Sequence, residues 1–175
     1  MQPILLPLLP FVLWGLLGAA LQPSVRYEPT PMSVVQAMTD LAAVKAGDMV
    51  YDLGCGDGRI VIAAAQLGAA AACVDIDPRR IAEAQDNARK AGVAGRIAFR
   101  NEDLFNTDLR EATVVMLFLS PDYNLALREK LQRLRPGTRV VSHWHAMGDW
   151  KPQKKVDVRV DSREHPVYLW VIAGS

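Results

Sequence analysis

The chain is short of cysteine and of any excess of one charge, and it carries no charge at all before Arg26. Cysteine occurs only at Cys55 and Cys73 in 175 residues. Two cysteines do not make a disulfide scaffold, and without metal-ligand spacing both read as small core residues. Lysine and arginine total 20 against 19 aspartates and glutamates, a formal charge of +1. That balance speaks against a nucleic-acid partner, because phosphate contacts draw on a clear basic excess. What is plentiful is apolar side chain, 50% of residues against 22% charged, which excludes a disordered or collagen-like chain. The length suits one ordinary domain.

From Ile4 to Leu21 every residue is apolar, glycine or proline. As a helix this stretch would span about 27 Å at ~1.5 Å per residue, close to the roughly 30 Å core of a bilayer. The expectation is an N-terminal hydrophobic helix, residues 1–25, retained as a membrane anchor. A cleaved signal peptide is the alternative. Gly18 and Ala20 have cleavage spacing, but no Lys or Arg stands near Met1. A buried core helix is disfavoured by Pro7 and Pro10. Arg26 and Lys45 would hold the anchored domain, residues 26–175, on the cytoplasmic side. Cleavage would instead export it.

Beyond Arg26, strands and helices alternate. Thr30-Pro31 reads as an N-cap and first helical residue. Val34, Val35, Met38, Leu41 and Ala42 then recur at helical spacing, with Gly47-Asp48 as the stop. Strands are expected at Met49–Leu53, Ala70–Ile76, Arg96–Arg100, Thr113–Leu119 and Thr138–Ser142. The fourth is the most apolar and so the expected centre. Helices are expected at Arg59–Leu67, from Asp77-Pro78 to Gly92, and at Tyr123–Leu134. Lys155–Val160 and Val167–Ile172 look like a closing antiparallel pair. Such alternation implies an α/β fold, an open parallel sheet with helices on both faces. Ligands of such sheets bind beyond the carboxyl ends of the strands.

The segment Asp52-Leu53-Gly54-Cys55-Gly56-Asp57-Gly58 joins the first strand to a helix. Its glycines let backbone approach a ligand closely. It departs from the dinucleotide pattern G-x-G-x-x-G, because Arg59-Ile60-Val61 supplies no third glycine. Two carboxylates beside the turn, Asp52 and Asp57, would repel a pyrophosphate and suit a ligand with an amino group. Asp75 ends the second strand at the distance from the glycines where an acid accepts ribose hydroxyls. S-adenosylmethionine fits a ligand with a ribose, a cationic part and no phosphates; NAD and ATP fit poorly.

Asp52 to Gly58, Asp75, and Asn101-Glu102-Asp103-Leu104 resemble the successive motifs of the class I, seven-strand S-adenosylmethionine-dependent methyltransferases. The resemblance implies a Rossmann-like, doubly wound seven-strand sheet, mostly parallel with an antiparallel terminal strand. It implies S-adenosyl-L-methionine as cofactor. The methionine part would lie against Asp52, Gly54, Cys55, Gly56 and Asp57, the ribose on Asp75, and the adenine amino group on Asp103. Tyr27, Thr30, Ile76 and Leu104 would be further cofactor contacts.

A narrower resemblance, over roughly Tyr27 to Val156, rests on Tyr27-Glu28-Pro29-Thr30, Asp57 to Ala64, Pro121, Asn124, Arg139 to His143, and Trp150-Lys151-Pro152. These are similar to the protein-lysine methyltransferase family. It includes the mitochondrial ATP synthase c-subunit lysine methyltransferase and the archaeal broad-specificity protein-lysine methyltransferase. It implies a protein substrate, modified on lysine, with a membrane protein among the candidates. Ser120-Pro121-Asp122-Tyr123 and Trp144-His145 depart from the commoner family versions. Both border the acceptor site, so the acceptor's identity stays open. Asp122, Tyr123 and Asn124 would position it.

The chemistry asks little of the protein beyond placement. Deprotonating a lysine at pH 7 costs about 4.6 kcal/mol. A sulfonium ~4 Å away contributes about 4 kcal/mol of repulsion at an effective dielectric of ~20. Desolvation pushes the amine the same way. No dedicated base is required, so Asp122 is expected to recruit and position rather than deprotonate.

Blander readings stand beside these. Asp77 is expected only to cap its helix, and Asp57 could do the same. Zinc at His143 and His145 lacks further ligands. Trp144 and Trp150 either line an acceptor channel or close the core. Lys151, Lys154 and Lys155 form a solvated basic face or touch anionic lipid. A methyltransferase of a small molecule or nucleic acid, or a binding module without chemistry, are the competing functions.

Overall fold

The structure, a computed structural model, describes residues 28–174. The expected anchor, residues 1–25, and Tyr27 lie outside the described residues. Among those described, no helix is long and apolar enough to cross a membrane.

Helix α1 (Met32–Leu41) precedes strand β1 (Met49–Leu53), followed by α2 (Arg59–Gln66), β2 (Ala70–Asp75), α3 (Pro78–Lys90) and β3 (Ile97–Asn101). Then come β4 (Val114–Leu117), α4 (Pro121–Gln132), β5 (Arg139–His143), β6 (Lys154–Val160) and β7 (Arg163–Val171). The seven strands form one sheet in the order β3-β2-β1-β4-β5-β7-β6. β1 to β5 pair in parallel, and β7 runs antiparallel to both β5 and β6. The order reverses between β1 and β4, and β4 is the central strand as its apolar run predicts.

Alternate residues of the strands feed two cores. Val50 of β1 and Met116 of β4 face Val34, Met38, Val61, Ala64 and Ala84 of the first three helices. Tyr51, Leu53, Val115 and Leu117 face Leu127 and Leu131 of α4, with Trp170 of β7. Burial on both faces explains why β4 is apolar throughout and why β1 is largely so, with Asp52 the one charged residue in it. β6 alternates exposed and half-buried residues, as an edge strand with one covered face does. At the end of the sheet away from the strand tips, Asp48 is buried and pairs with Arg139. Burial alone would raise its pKa, but hydrogen bonds from Thr113, the Lys45 N–H and Arg139 outweigh that and lower it.

Several boundaries differ from expectation. Pro31 stays extended at ψ 144°, so α1 starts at Met32 and the Thr30 hydroxyl does not cap it. The helix ends at Leu41, before Ala43 turns to φ +49°, well short of Gly47. α4 begins at Pro121, because the Ser120 hydroxyl accepts from the Tyr123 N–H and Pro121 occupies the first helical position. β7 starts at Arg163 rather than Val167. Pro166 sits inside the strand, paired with Asp157.

Candidate active site

The carboxyl ends of β1, β2 and β4, the loop after β3 and the residues ahead of α1 enclose a cavity of about 580 Å³. Asp52, Gly54, Cys55 and Asp57 line it from the first turn, Asp75, Ile76 and Asp77 from the second. Asp103 and Leu104 line it beyond β3, and Thr30 lies ahead of α1. The expected cofactor residues are thus gathered in one place, apart from Tyr27, which is not described, and Gly56, which acts through its backbone.

Backbone geometry shapes the first turn. Gly54 N–H and Cys55 N–H both donate to Val74 O, at 2.8 and 3.0 Å, drawing the turn against β2. Gly58 has φ +81°, and a Cβ there would stand 2.8 Å from the Ala84 Cβ. Only glycine fits so close an approach of α3. Gly56 N–H donates to Asp75 Oδ2 at 2.9 Å, and Asp77 N–H to Asp75 Oδ1 at 2.9 Å. Both oxygens of Asp75 are therefore aimed by rigid backbone, with lone pairs left over for hydroxyl donors. Asn101 braces the same bend, donating to Asp75 O and Ile76 O.

Asp52 is 2% exposed and its Oδ2 has no hydrogen-bond partner among the described residues. Burial, and then the charges of Asp75 and Asp57, push its pKa up to about 8. A ligand ammonium would satisfy this buried oxygen and restore its charge, so the donor set fits a zwitterionic methionine head. Asp57 is gripped by Arg59, whose Nε and Nη2 both reach it and whose Nη1 donates to Thr30 O at 2.7 Å. It also accepts from the Arg59 N–H at 3.3 Å, although the N-cap position of α2 is Gly58 and carries no side-chain cap. Asp77 caps α3 through the Arg79 N–H, as expected, yet also lines the cavity.

The two cysteines correct the sequence reading. Both are buried, but they are joined as a Cys55–Cys73 disulfide, with the Cα atoms 5.3 Å apart. Their separation of 18 residues gives no hint of this. Parallel pairing of β1 with β2 brings the turn carrying Cys55 over the strand carrying Cys73. Sequence reasoning also missed Glu28, Phe118, Leu119 and Arg80 as cavity walls. Phe118 and Leu119 follow the apolar β4, where the strand-end rule could have found them.

The three expected acceptor residues separate. Asp122 is exposed in the first turn of α4 and lines neither of two adjoining cavities. Tyr123 lines the large cavity, its ring edge-on to Phe105. Asn124 is fully buried and donates to Ser142 Oγ and to His145 O, at 3.0 and 2.9 Å. It holds the loop after β5. That loop sends Trp144 to a second, smaller cavity of about 250 Å³. Trp150 instead packs in the core against Trp170, whose Nε1 donates to Trp150 O. Among the described residues no His, Cys, Asp and Glu group could hold a metal.

Residues 52–154 match the family described as the ANTKMT methyltransferase domain. The chain belongs to this family. It is an S-adenosylmethionine-dependent methyltransferase. It is 46% identical over 153 residues to the protein-lysine N-methyltransferase of Saccharolobus islandicus, covering 86% of this chain and 95% of that one. It is 35% identical to the adenine nucleotide translocase lysine N-methyltransferase of Mus musculus, over 94% of this chain and 73% of that one. Among solved structures, an RNA methyltransferase from Salinibacter ruber in complex with S-adenosyl-L-homocysteine is 47% identical, with a TM-score of 0.79. That match covers 85% of this methyltransferase and 95% of the Salinibacter chain.

Proposed function

We propose that this methyltransferase modifies the ε-amino group of protein lysines close to a membrane. The observation that carries the lysine reading is the 46% identity over 95% of the archaeal protein-lysine enzyme. When bound, S-adenosylmethionine supplies a methyl group on a sulfonium, open to in-line displacement by an amine. Asp52 holds the cofactor's ammonium, Asp75 its ribose hydroxyls and Asp103 its adenine amino group. The cavity gathers these residues in one place, so the cofactor would be positioned before the acceptor arrives. Residues 4–21 supply the membrane contact, with Arg26 and Lys45 favouring a cytoplasmic catalytic domain.

The similarity to the Salinibacter RNA methyltransferase favours RNA as the competing acceptor. Against it stand the net charge of +1 and a cavity lined by five aspartates and Glu28 against three arginines, an excess that repels phosphates. The deciding experiment incubates the full chain with methyl-labelled cofactor and a membrane-plus-cytosol extract of its own source. Label on a lysine of a membrane protein supports the proposal. Label on a lysine of soluble proteins alone refutes its membrane part, and label confined to RNA or small molecules refutes the whole.

A further inference from the structure

All three histidines of the chain, His143, His145 and His165, line the second cavity with Trp144, Glu28 and Arg163. Glu28, Pro29 and Phe118 are walls of both cavities, so the two adjoin there. Strand register makes the cluster. His143 ends β5 opposite Val167 of β7, and His165, two residues on, lies on the same face. His143 Nε2 and His165 Nδ1 are 3.0 Å apart, a hydrogen bond. His143 is 1% exposed, packs on Phe118 with ring centroids 4.2 Å apart, and its Nδ1 has no partner among the described residues. His165 is only half-buried, so its far nitrogen can meet an incoming group.

The residue that follows His143 is held in a strained conformation. Trp144 has φ +72°, a conformation that costs a bulky residue about 1–3 kcal/mol and persists only where neighbours enforce it. Its N–H donates to Pro166 O at 2.8 Å, and its ring lies edge-on to His165 with centroids 4.8 Å apart. Asn124 and Ser142 pin the next residue through His145 O. Strain enforced from both strands, beside a buried and incompletely bonded imidazole, is an arrangement for a site rather than for stability.

We propose that the acceptor lysine enters through this cavity and that His165, oriented by His143, takes its proton. This rests on lysine being the acceptor. His165 Nδ1–H donates to His143 Nε2, leaving the His165 Nε2 lone pair for the ammonium. One N–H bond of the lysine breaks, one forms at His165 Nε2, and the proton passes on to water at the open side. Oxidation states do not change. His143 suits the accepting role because burial, and then the neighbouring His165 and His145, lower its pKa to about 4, keeping it neutral at physiological pH. The charged groups facing His165 are Glu28 ahead of α1 and Arg163 on β7, with His143 and His145 from β5 and its loop. β4 presents Phe118 there, and β6 pairs Val158 opposite His165.

The test is the pH dependence of single-turnover methyl transfer, with poly-L-lysine and the extract of the preceding section as acceptors. The wild-type rate should reach its plateau well below the pH at which a free lysine side chain loses its proton. His165→Ala should lose about 10²-fold at pH 7, recover steadily towards pH 10, and be rescued by added imidazole. Its affinity for S-adenosylhomocysteine should match wild type, which also reports that it has folded. A wild-type rate that climbs to lysine's own pKa overturns the proposal without recourse to any variant. So does a His165→Ala profile parallel to wild type with no imidazole rescue. If the wild type labels no lysine in either mixture, the lysine function itself falls and the base with it.

Discussion

Cofactor binding should expel a proton from Asp52. Its carboxyl is buried at the end of β1, with Asp75 and Asp57 nearby, and its pKa is raised to about 8. At pH 6 it is therefore almost wholly protonated, whereas an ammonium at Oδ2 requires the carboxylate. Binding of S-adenosylhomocysteine should release about one proton per molecule, and affinity should rise about tenfold per pH unit between pH 5.5 and 7.5, roughly 100-fold overall. Titration calorimetry in two buffers of different ionisation enthalpy measures the proton directly. Asp52→Asn should bind weakly, without proton release or pH dependence. The free protein should show the complementary sign. Between about pH 4 and pH 8 the folded state holds a proton that the unfolded state has lost. Asp52 thus lowers stability as pH rises, by about 1.4 kcal/mol per unit, and Asp52→Asn should remove that slope. A wild type that binds with flat affinity and no proton release would refute the reasoning, since Asp52 would then be ionised already or turned from the ligand.

Four further outcomes are expected. Gly58→Ala should destabilise the fold by about 1–3 kcal/mol in urea unfolding, since φ +81° and the 2.8 Å approach to Ala84 both oppose a Cβ. Asp75→Ala should cost at least tenfold in cofactor affinity by calorimetry, because it removes ligand hydrogen bonds and the anchor of Gly56 N–H; undiminished affinity would mean the ribose lies elsewhere. Reducing the Cys55–Cys73 disulfide should lower the unfolding free energy by about 3 kcal/mol on loop-entropy grounds, and Cys73→Ala should make the protein indifferent to reductant. His143 has a folded pKa of about 4 against an ordinary 6.5, so stability present above pH 6.5 is lost as pH falls through that interval. Asp52 acts in the opposite sense over this range, so the His143 contribution is read as a difference: from pH 7 to pH 5 the stability of the wild type relative to His143→Gln should fall by about 2 kcal/mol in urea titrations.

The cofactor half of the site was legible because its information is local. Asp52, the glycines and Asp75 sit at the ends of neighbouring strands, where a short turn or a fixed distance along the chain brings each to the same edge. Propensity and capping likewise located most elements, and failed where tertiary packing overrode them. Pro166 is tolerated within β7 because its missing donor is not needed there and its carbonyl is taken by the Trp144 N–H. The acceptor half was not legible. Asp122, Tyr123 and Asn124 are adjacent in sequence, yet the helix turns one to solvent, one into the large cavity and one beneath the loop after β5.

The residues alone dictated an alternating α/β chain with an acidic, glycine-lined turn for a cationic nucleoside, because strand period, helix capping and backbone freedom act over a few residues. Only the folded sheet decided that Cys55 meets Cys73, that Asn124 braces His145, and that His143 and His165 share a proton between β5 and β7. Those encounters depend on strand order and antiparallel register, which join residues 18 to 22 apart and are set by the packing of the whole sheet.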